Sequence, residues 1–252
     1  MEAGLTVHCM VRNEPFVYYA VKSVYDYADQ ILLYDTGSYD EYTLSDVALL
    51  MREDFDDKIT FKQVTIEVDE TKWSDRGPNN YRVMAKANRG KRGKWYCRQM
   101  QIHDTETRYF MILDGDEVHY RSGMETILKT VRHWPREKLC GSVPLLWFKD
   151  LAHVFQTSRS GRVFVTEQVG VIDRSPGELH TVKKTGEKIG HSSRCTFAVP
   201  EMTPFAHFET WLKPWRRVVP ASKIRAFTGK LPEVMQENMS FVERFSNADT
   251  SD

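Results

Sequence analysis

The sequence predicts an α/β fold, a mostly parallel sheet flanked by helices, followed by a more irregular second half. Three observations carry this. The runs LTVHCMV (5–11), ILLY (31–34) and YFMIL (109–113) are almost wholly apolar, as expected of strands covered on both faces. Stretches of helical period separate the early runs, and alternating strand and helix is the rhythm of a parallel sheet. After about Cys140 the pattern changes to short strand-like runs broken by Gly, Pro and charge.

Taken in order, the first strand stops at Arg12-Asn13-Glu14-Pro15. Phe16, Ala20, Val24 and Tyr27 then recur at helical spacing, with Pro15 in the first turn, where a helix tolerates it. The second strand closes on Asp35-Thr36-Gly37-Ser38. Thr43 with Asp46 reads as a capping box, opening a helix whose shared face is Leu44, Val47, Ala48 and Met51. KITFKQVTIEV suggests a third strand, and YFMIL a central one that ends in Asp114-Gly115-Asp116-Glu117. Ser122 and Glu125 offer a second capping box, for a helix carrying Met124, Ile127, Leu128 and Val131. SVPLLWF and RVFVTEQVGVI are the strand-like runs of the second half. A single domain over 1–245 is expected, with a frayed polar tail at 246–252.

Composition narrows the class. Hydrophobic residues make up 41%, enough for a packed core, and 35 Lys plus Arg balance 35 Asp plus Glu. No global field therefore commits the chain to nucleic acid or membrane. Cys9, Cys97, Cys140 and Cys195 are scattered without a CxxC pair, which argues against a zinc ribbon or disulfide scaffold. No stretch approaches the ~20 apolar residues of a membrane helix, and the N-terminus lacks a signal-peptide core. The expected setting is the cytoplasm, with no membrane contact.

The chemistry concentrates at strand ends. In an open parallel sheet, ligands bind outside the carboxyl ends of the strands, and three strands here finish in polar loops. Carboxylates as close as Asp114, Asp116 and Glu117 repel unless water or a cation intervenes. Asp-Gly is also an ordinary turn signal, but the recurrence of such ends at successive strands favours a shared site.

CMVRNE, YADQILLYDTGSYD and YFMILDGDE, in that order, resemble the family 2 glycosyltransferases of GT-A fold over roughly residues 5–120. The resemblance implies a nucleotide-sugar half at 1–120 and an acceptor-side half at 121–245. It implies that Arg12, Asn13, Glu14, Asp35, Thr36, Gly37 and Ser38 hold the nucleoside of a UDP-sugar. Asp114 and Gly115 would sit near the ribose or the metal. Asp116 would coordinate Mn²⁺ or Mg²⁺ through oxygen, the hard ligand these ions prefer. Glu117 would touch the metal through water, orient Asp116, or be a solvated strand-end charge. By the same resemblance Arg98 contacts the nucleotide or its phosphates, unless it is a surface residue of its helix. His207, in PFAHFETWLKPWRR, is the candidate additional metal ligand, with His191 as runner-up. His8 and His103 read as packing or surface residues.

Most members invert configuration, which needs a base from the second half. Glu178, in the loop SPGELH, is preferred, with Glu167, Asp173 and Glu209 also eligible. Residues 82–98 carry seven Lys or Arg and no acid. They form a solvated loop, a lid over the diphosphate, or a grip on an anionic acceptor such as a modified base in DNA. Trp73, Tyr81, Trp95 and Tyr96 lie nearby in sequence. Two other functions compete. A sugar nucleotidyltransferase would show a Gly-rich, Lys-containing loop after the first strand, and Arg12-Asn13-Glu14-Pro15 is not one. A non-catalytic nucleic-acid-binding module gives no reason for Asp-Gly-Asp-Glu.

Overall fold

Alternation along the first strand, β1 (Glu2–Val11), decides the layers. Leu5, Val7, Cys9 and Val11 share one core with Val17, Ala20, Val21 and Val24 of α1 (Val17–Tyr25). On the opposite face His8 stacks on Phe110, ring centroids 4.4 Å apart. There too Leu32 and Tyr34 of β2 (Gln30–Asp35) pack with Cys97 of α3 (Lys94–His103). Helices therefore cover both faces, which explains why these strands are apolar at nearly every position. Each fully buried Val, Leu or Ile contributes ~1.5–3 kcal/mol.

The structure, a computed structural model, describes residues 2–64, 94–135, 138, 140–166, 169–175, 178–183, 196–199, 203–208 and 219–238. Among the described residues, α2 (Glu41–Arg52), β3 (Ile59–Gln63), β4 (Thr107–Asp114), β5 (Glu117–Val118) and α4 (Arg121–Arg132) complete the first half. The order β3-β2-β1-β4 is parallel throughout. The expected α/β sheet flanked by helices is thus what the chain forms.

The second half is more regular than its sequence suggests. β6 (Cys140–Asp150) and β7 (His153–Val165) make a long antiparallel hairpin, its Gly and Pro absorbed where the register shifts or at paired positions. β7 runs antiparallel to β4, and β6 runs parallel to β11 (Phe205–His207). β11 then pairs antiparallel with β5. The sheet path thus leaves at β4, passes through β7, β6 and β11, and returns at β5. Only Gly115 and Asp116 separate β4 from β5 in sequence, so the sheet curls until its β5 end comes back to β4 at the acidic turn. β8 (Val169–Ser175) and β9 (Glu178–Lys183) form a separate two-stranded sheet. β10 (Thr196–Ala198), a 3-10 turn at Ala221–Lys223, β12 (Arg225–Ala226) and α5 (Glu233–Gln236) complete the described elements. No helix among the described residues is long and apolar enough to cross a membrane.

Helix starts differ from expectation. The cap of α2 is Asp40, whose side chain accepts from the Thr43 amide, so Thr43 lies inside the helix and is buried. The buried face is Thr43, Asp46, Val47 and Leu50, whereas Leu44 and Met51 are exposed. A local Asp outcompeted the Thr-x-x-Asp reading because it sits where β2's loop ends. At α4, Ser122 forms no capping box and pairs instead with Thr203. The Arg121 amide is satisfied by Glu233 of α5, a tertiary cap invisible to local spacing. Pro15 lies just before α1, preceding the N-cap Phe16.

Candidate functional site

Register brings the three polar strand ends together. Val11 stands opposite Asp35 across the β1–β2 pair, and Met10 opposite Asp114 across β1–β4. The loops after β1, β2 and β4 therefore share one edge.

Hydrogen bonds lock the first two loops. Asn13, in the left-handed region at φ 52°, donates its amide to Ser38 Oγ at 3.0 Å. Its Oδ1 accepts from the amides of Tyr39 at 2.9 Å and Asp40 at 3.3 Å. Thr36 donates its amide and its hydroxyl to the Val11 carbonyl. Asp35 is buried, and its Oδ1 accepts from the amides of Gly37 (3.1 Å) and Ser38 (2.9 Å). Gly37 takes φ 103°, which L side chains adopt rarely. One oxygen of Asp35 thus folds its own turn, a use of Asp that the sequence also allowed. Arg12 and Glu14 are half-buried beside Asn13.

Gly115 seats the third loop on the first. A Cβ at Gly115 would lie 2.7 Å from Glu14 Cβ and 3.1 Å from Val11 Cγ1. Only glycine permits this approach.

The acidic corner is built from both halves. Asp114 Oδ2 accepts from Arg162 Nη2 at 3.1 Å, and Asp114 Oδ1 lies 3.5 Å from Arg98 Nη2. Arg162 Nη2 also donates to Glu117 Oε1. Glu117 Oε2 accepts the Asp114 amide at 3.1 Å. His207, directly opposite Glu117 in the β11–β5 pair, brings Nε2 to 3.5 Å from Asp116 Oδ1 and 3.6 Å from Glu117 Oε1. Trp147, its neighbour across β6, sets the ring with an edge-on contact at 4.0 Å between centroids. Asp116 is anchored by its carbonyl, which accepts the Phe208 amide.

Electrostatics follow from burial and imbalance. Burial, with Asp114 and Asp116 adding repulsion, pushes the Glu117 carboxyl well above the usual carboxylate range against the pull of Arg162. Burial opposes the charge on Arg162, yet Glu117 and Asp114 outweigh it and raise its pKa. His119, stacked on Phe205, is driven down to about 3 by burial and by Arg162, so it is neutral.

Several expectations change place. Arg98 is 1% exposed, donating to the His8 carbonyl and to Gln101 behind Asp114 rather than lying at the open edge. Glu178 is the first residue of β9, paired with Ser175, and not part of a loop. Glu167, Glu209, His191 and most of the basic stretch, up to residue 93, lie outside the described residues, as does the side chain of Asp173. His8 is a packed, buried residue and His103 a surface one, as expected.

Sequence reasoning missed Arg162. A signal was present, since Arg162 opens the apolar run RVFV. A charge in a buried strand needs a partner.

Could the corner hold a divalent ion? Donors that share one small ion at about 2.1 Å in octahedral geometry lie roughly 3 Å apart. Asp116 and His207, at 3.5 Å, are near that spacing. Among the described residues no group of three His, Cys, Asp or Glu forms a complete cage. Ions such as Mg²⁺ commonly take one or two protein ligands and complete their shell with water and substrate phosphate. The pair therefore fits an ion shared with a phosphorylated ligand.

No family model matches the chain, nor does any curated protein. Among solved structures it is similar to TarS 1–349 of S. aureus at 10% identity, covering 83% of this chain and 61% of that one, TM-score 0.44. It is also similar to glucosyl-3-phosphoglycerate synthase from Mycobacterium tuberculosis in complex with Mn²⁺, UDP and phosphoglyceric acid, at 12% identity, covering 57% and 43%, TM-score 0.34. GalNAc-T7 with UDP, GalNAc and Mn²⁺ is similar at 12% identity, covering 57% and 23%, TM-score 0.36. The chain thus spans less than two thirds of each of these structures. Likeness at this level assigns no activity.

Proposed function

We propose that the chain is a metal-dependent glycosyltransferase of GT-A type, which moves a sugar from a nucleotide-sugar, a UDP-sugar, to an acceptor hydroxyl. One observation carries the reading: register sets the loops after β1, β2 and β4 on one edge, and the curled sheet delivers His207 to Asp116 there. The order of motifs along the chain supports it.

In this reading Asp116 and His207 hold Mn²⁺ or Mg²⁺, which would neutralise charge on the departing diphosphate. Asn13, Asp35, Thr36 and Ser38 keep the loops after β1 and β2 as one rigid ledge for the nucleoside. Gly115 keeps the metal turn against that ledge. Trp147 holds the His207 ring so that Nε2 faces the acidic side chains. Glu178, at the head of β9, is the proposed base, on the family resemblance; Glu167 is second.

Calorimetry with UDP and manganese tests the proposal. Wild type is expected to bind UDP tightly only when manganese is present. Asp116→Ala should lose roughly a hundredfold or more in transfer, since such an ion supplies several kcal/mol of charge stabilisation. No nucleotide binding by wild type, or normal turnover by Asp116→Ala, would sink the assignment.

A further inference from the structure

We infer that Arg162 is a positioning residue for this site: its guanidinium pins Asp114 to Glu117 and so fixes the shape of the turn between β4 and β5. The inference deepens the donor-site reading and rests on it.

Arg162 reaches the turn because β7 runs antiparallel to β4. It stands one residue beyond the Met111–Val163 pair, level with the last residues of β4, and its side chain reaches forward to Asp114 and Glu117. Both of its bonds leave from Nη2, one to Asp114 Oδ2 and one to Glu117 Oε1. The other Glu117 oxygen accepts the Asp114 amide. A closed ring results, from Asp114 through Arg162 and Glu117 back to the backbone of Asp114. Asp116, whose carboxylate faces His207, lies inside the turn that this ring closes.

Water cannot substitute for the pin at Glu117, although the Asp114 side chain is 43% exposed. The Arg162 side chain is 12% exposed and that of Glu117 is 0% exposed. The guanidinium also lies over the Phe205 ring, 5.8 Å from its centroid, which fixes its approach. Without it, Asp114 and Glu117 would repel across the turn and compete for the cation. Hydrogen-bond partners that orient the carboxylates of a metal site are commonly worth 10- to 100-fold in affinity. Arg162 has that relation to the turn that carries Asp116, which it holds from both sides through Asp114 and Glu117.

The test compares wild type, Arg162→Lys and the double variant Arg162→Gln/Glu117→Gln. The double variant removes both charges of the buried pair, so no orphaned carboxylate remains to unfold it. Manganese alone is followed by the paramagnetic resonance of the free ion. UDP binding at saturating manganese is followed by calorimetry, and folding by thermal melting. The double variant is expected to melt close to wild type, yet to bind manganese and its UDP complex at least about tenfold more weakly. Arg162→Lys, which keeps the charge on a shorter arm, should recover part of the loss.

Wild-type affinity in the double variant overturns the role. So does an affinity loss matched in both variants by a fall in melting temperature, which would make Arg162 merely structural. Wild type that binds manganese but not UDP removes the donor reading and leaves the manganese arm to judge the pin. Wild type that binds neither removes both.

Discussion

The two ends of β4 carry the same kinds of side chain and come to opposite states. At its N-terminal approach Asp104 accepts from Lys62 and Tyr34, with His103 Nδ1 at 3.1 Å. These partners outweigh burial and lower Asp104 to about 2. At its C-terminal end Asp114, Asp116 and Glu117 meet Arg98 and Arg162 among the described residues, and Glu117 is pushed upward instead. The first cluster is neutralised at the solvent border and acts as a clamp between β2, β3 and β4. The second crowds three carboxylates around two guanidiniums, and Glu117 there holds its proton more tightly. A cluster of acids alone does not separate structure from function; the balance of its partners and their depth do.

The largest effect should come from breaking the buried end. Arg162→Met leaves Glu117 with its main counter-charge removed, and breaking a buried ion pair from one side typically costs ~3–5 kcal/mol. Urea unfolding reads this directly. The sign with pH is fixed, because the folded-state pKa of Glu117 lies above that of the unfolded chain. The folded state then holds a proton that the unfolded state has lost, so stability falls as pH rises above the ordinary carboxylate range. The defect should be smaller at pH 5 than at pH 8. A defect independent of pH would mean that Glu117 is not the group left orphaned.

What the sequence showed and what it hid follow the same division. The strand ends at Arg12-Asn13-Glu14, Asp35-Thr36-Gly37-Ser38 and Asp114-Gly115-Asp116 were legible because each is a continuous segment. Parallel pairing of apolar runs then forces them to one edge. His207 was legible only through family resemblance. Arg162 was hidden because its place depends on the register of the β6–β7 hairpin and on the curl that returns the sheet to β5. Neither leaves a local pattern. The helix caps failed for a related reason: Glu233 reaches the Arg121 amide across the fold, and no spacing rule near residue 121 contains it. Leu44 and Met51 fit a helical face by period, yet the core took Thr43, Asp46, Val47 and Leu50. Periodicity states that a face exists, and packing chooses which one.

A smaller effect is expected at the clamp. Asp104→Asn removes a carboxylate held at about 2 against an ordinary 3.8. A depressed folded pKa contributes stability that is fully present above the unfolded value and lost as pH falls through the folded one. The contribution is about 2 kcal/mol as an upper figure, since each unit is worth ~1.4 kcal/mol and the side chain is 23% exposed. Wild type should therefore lose stability more steeply than Asp104→Asn between about pH 4 and pH 2, while UDP binding at neutral pH stays a property of the other end. A large loss of nucleotide affinity in Asp104→Asn would show that the two ends of β4 are coupled, and the contrast between them would dissolve.

The smallest effect tests whether the donor ledge is held by local bonds, as its legibility in sequence implies. Asp40 caps α2 through the Thr43 amide at 2.8 Å, and its own amide donates to Asn13 Oδ1 at 3.3 Å. Asp40→Ala should cost ~1 kcal/mol, the usual worth of such a cap, read as a lower urea midpoint with an unchanged slope. Asp40→Asn, which keeps the accepting oxygen, should recover all but the small macrodipole share of ~0.3–1 kcal/mol. The backbone bond to Asn13 survives both substitutions, so the ledge should keep its shape. A loss several times larger in Asp40→Ala would mean that the cap and the ledge form one cooperative unit. In that case the short-range bonds of the first half would be as context-dependent as the ring that Arg162 closes at the acidic turn.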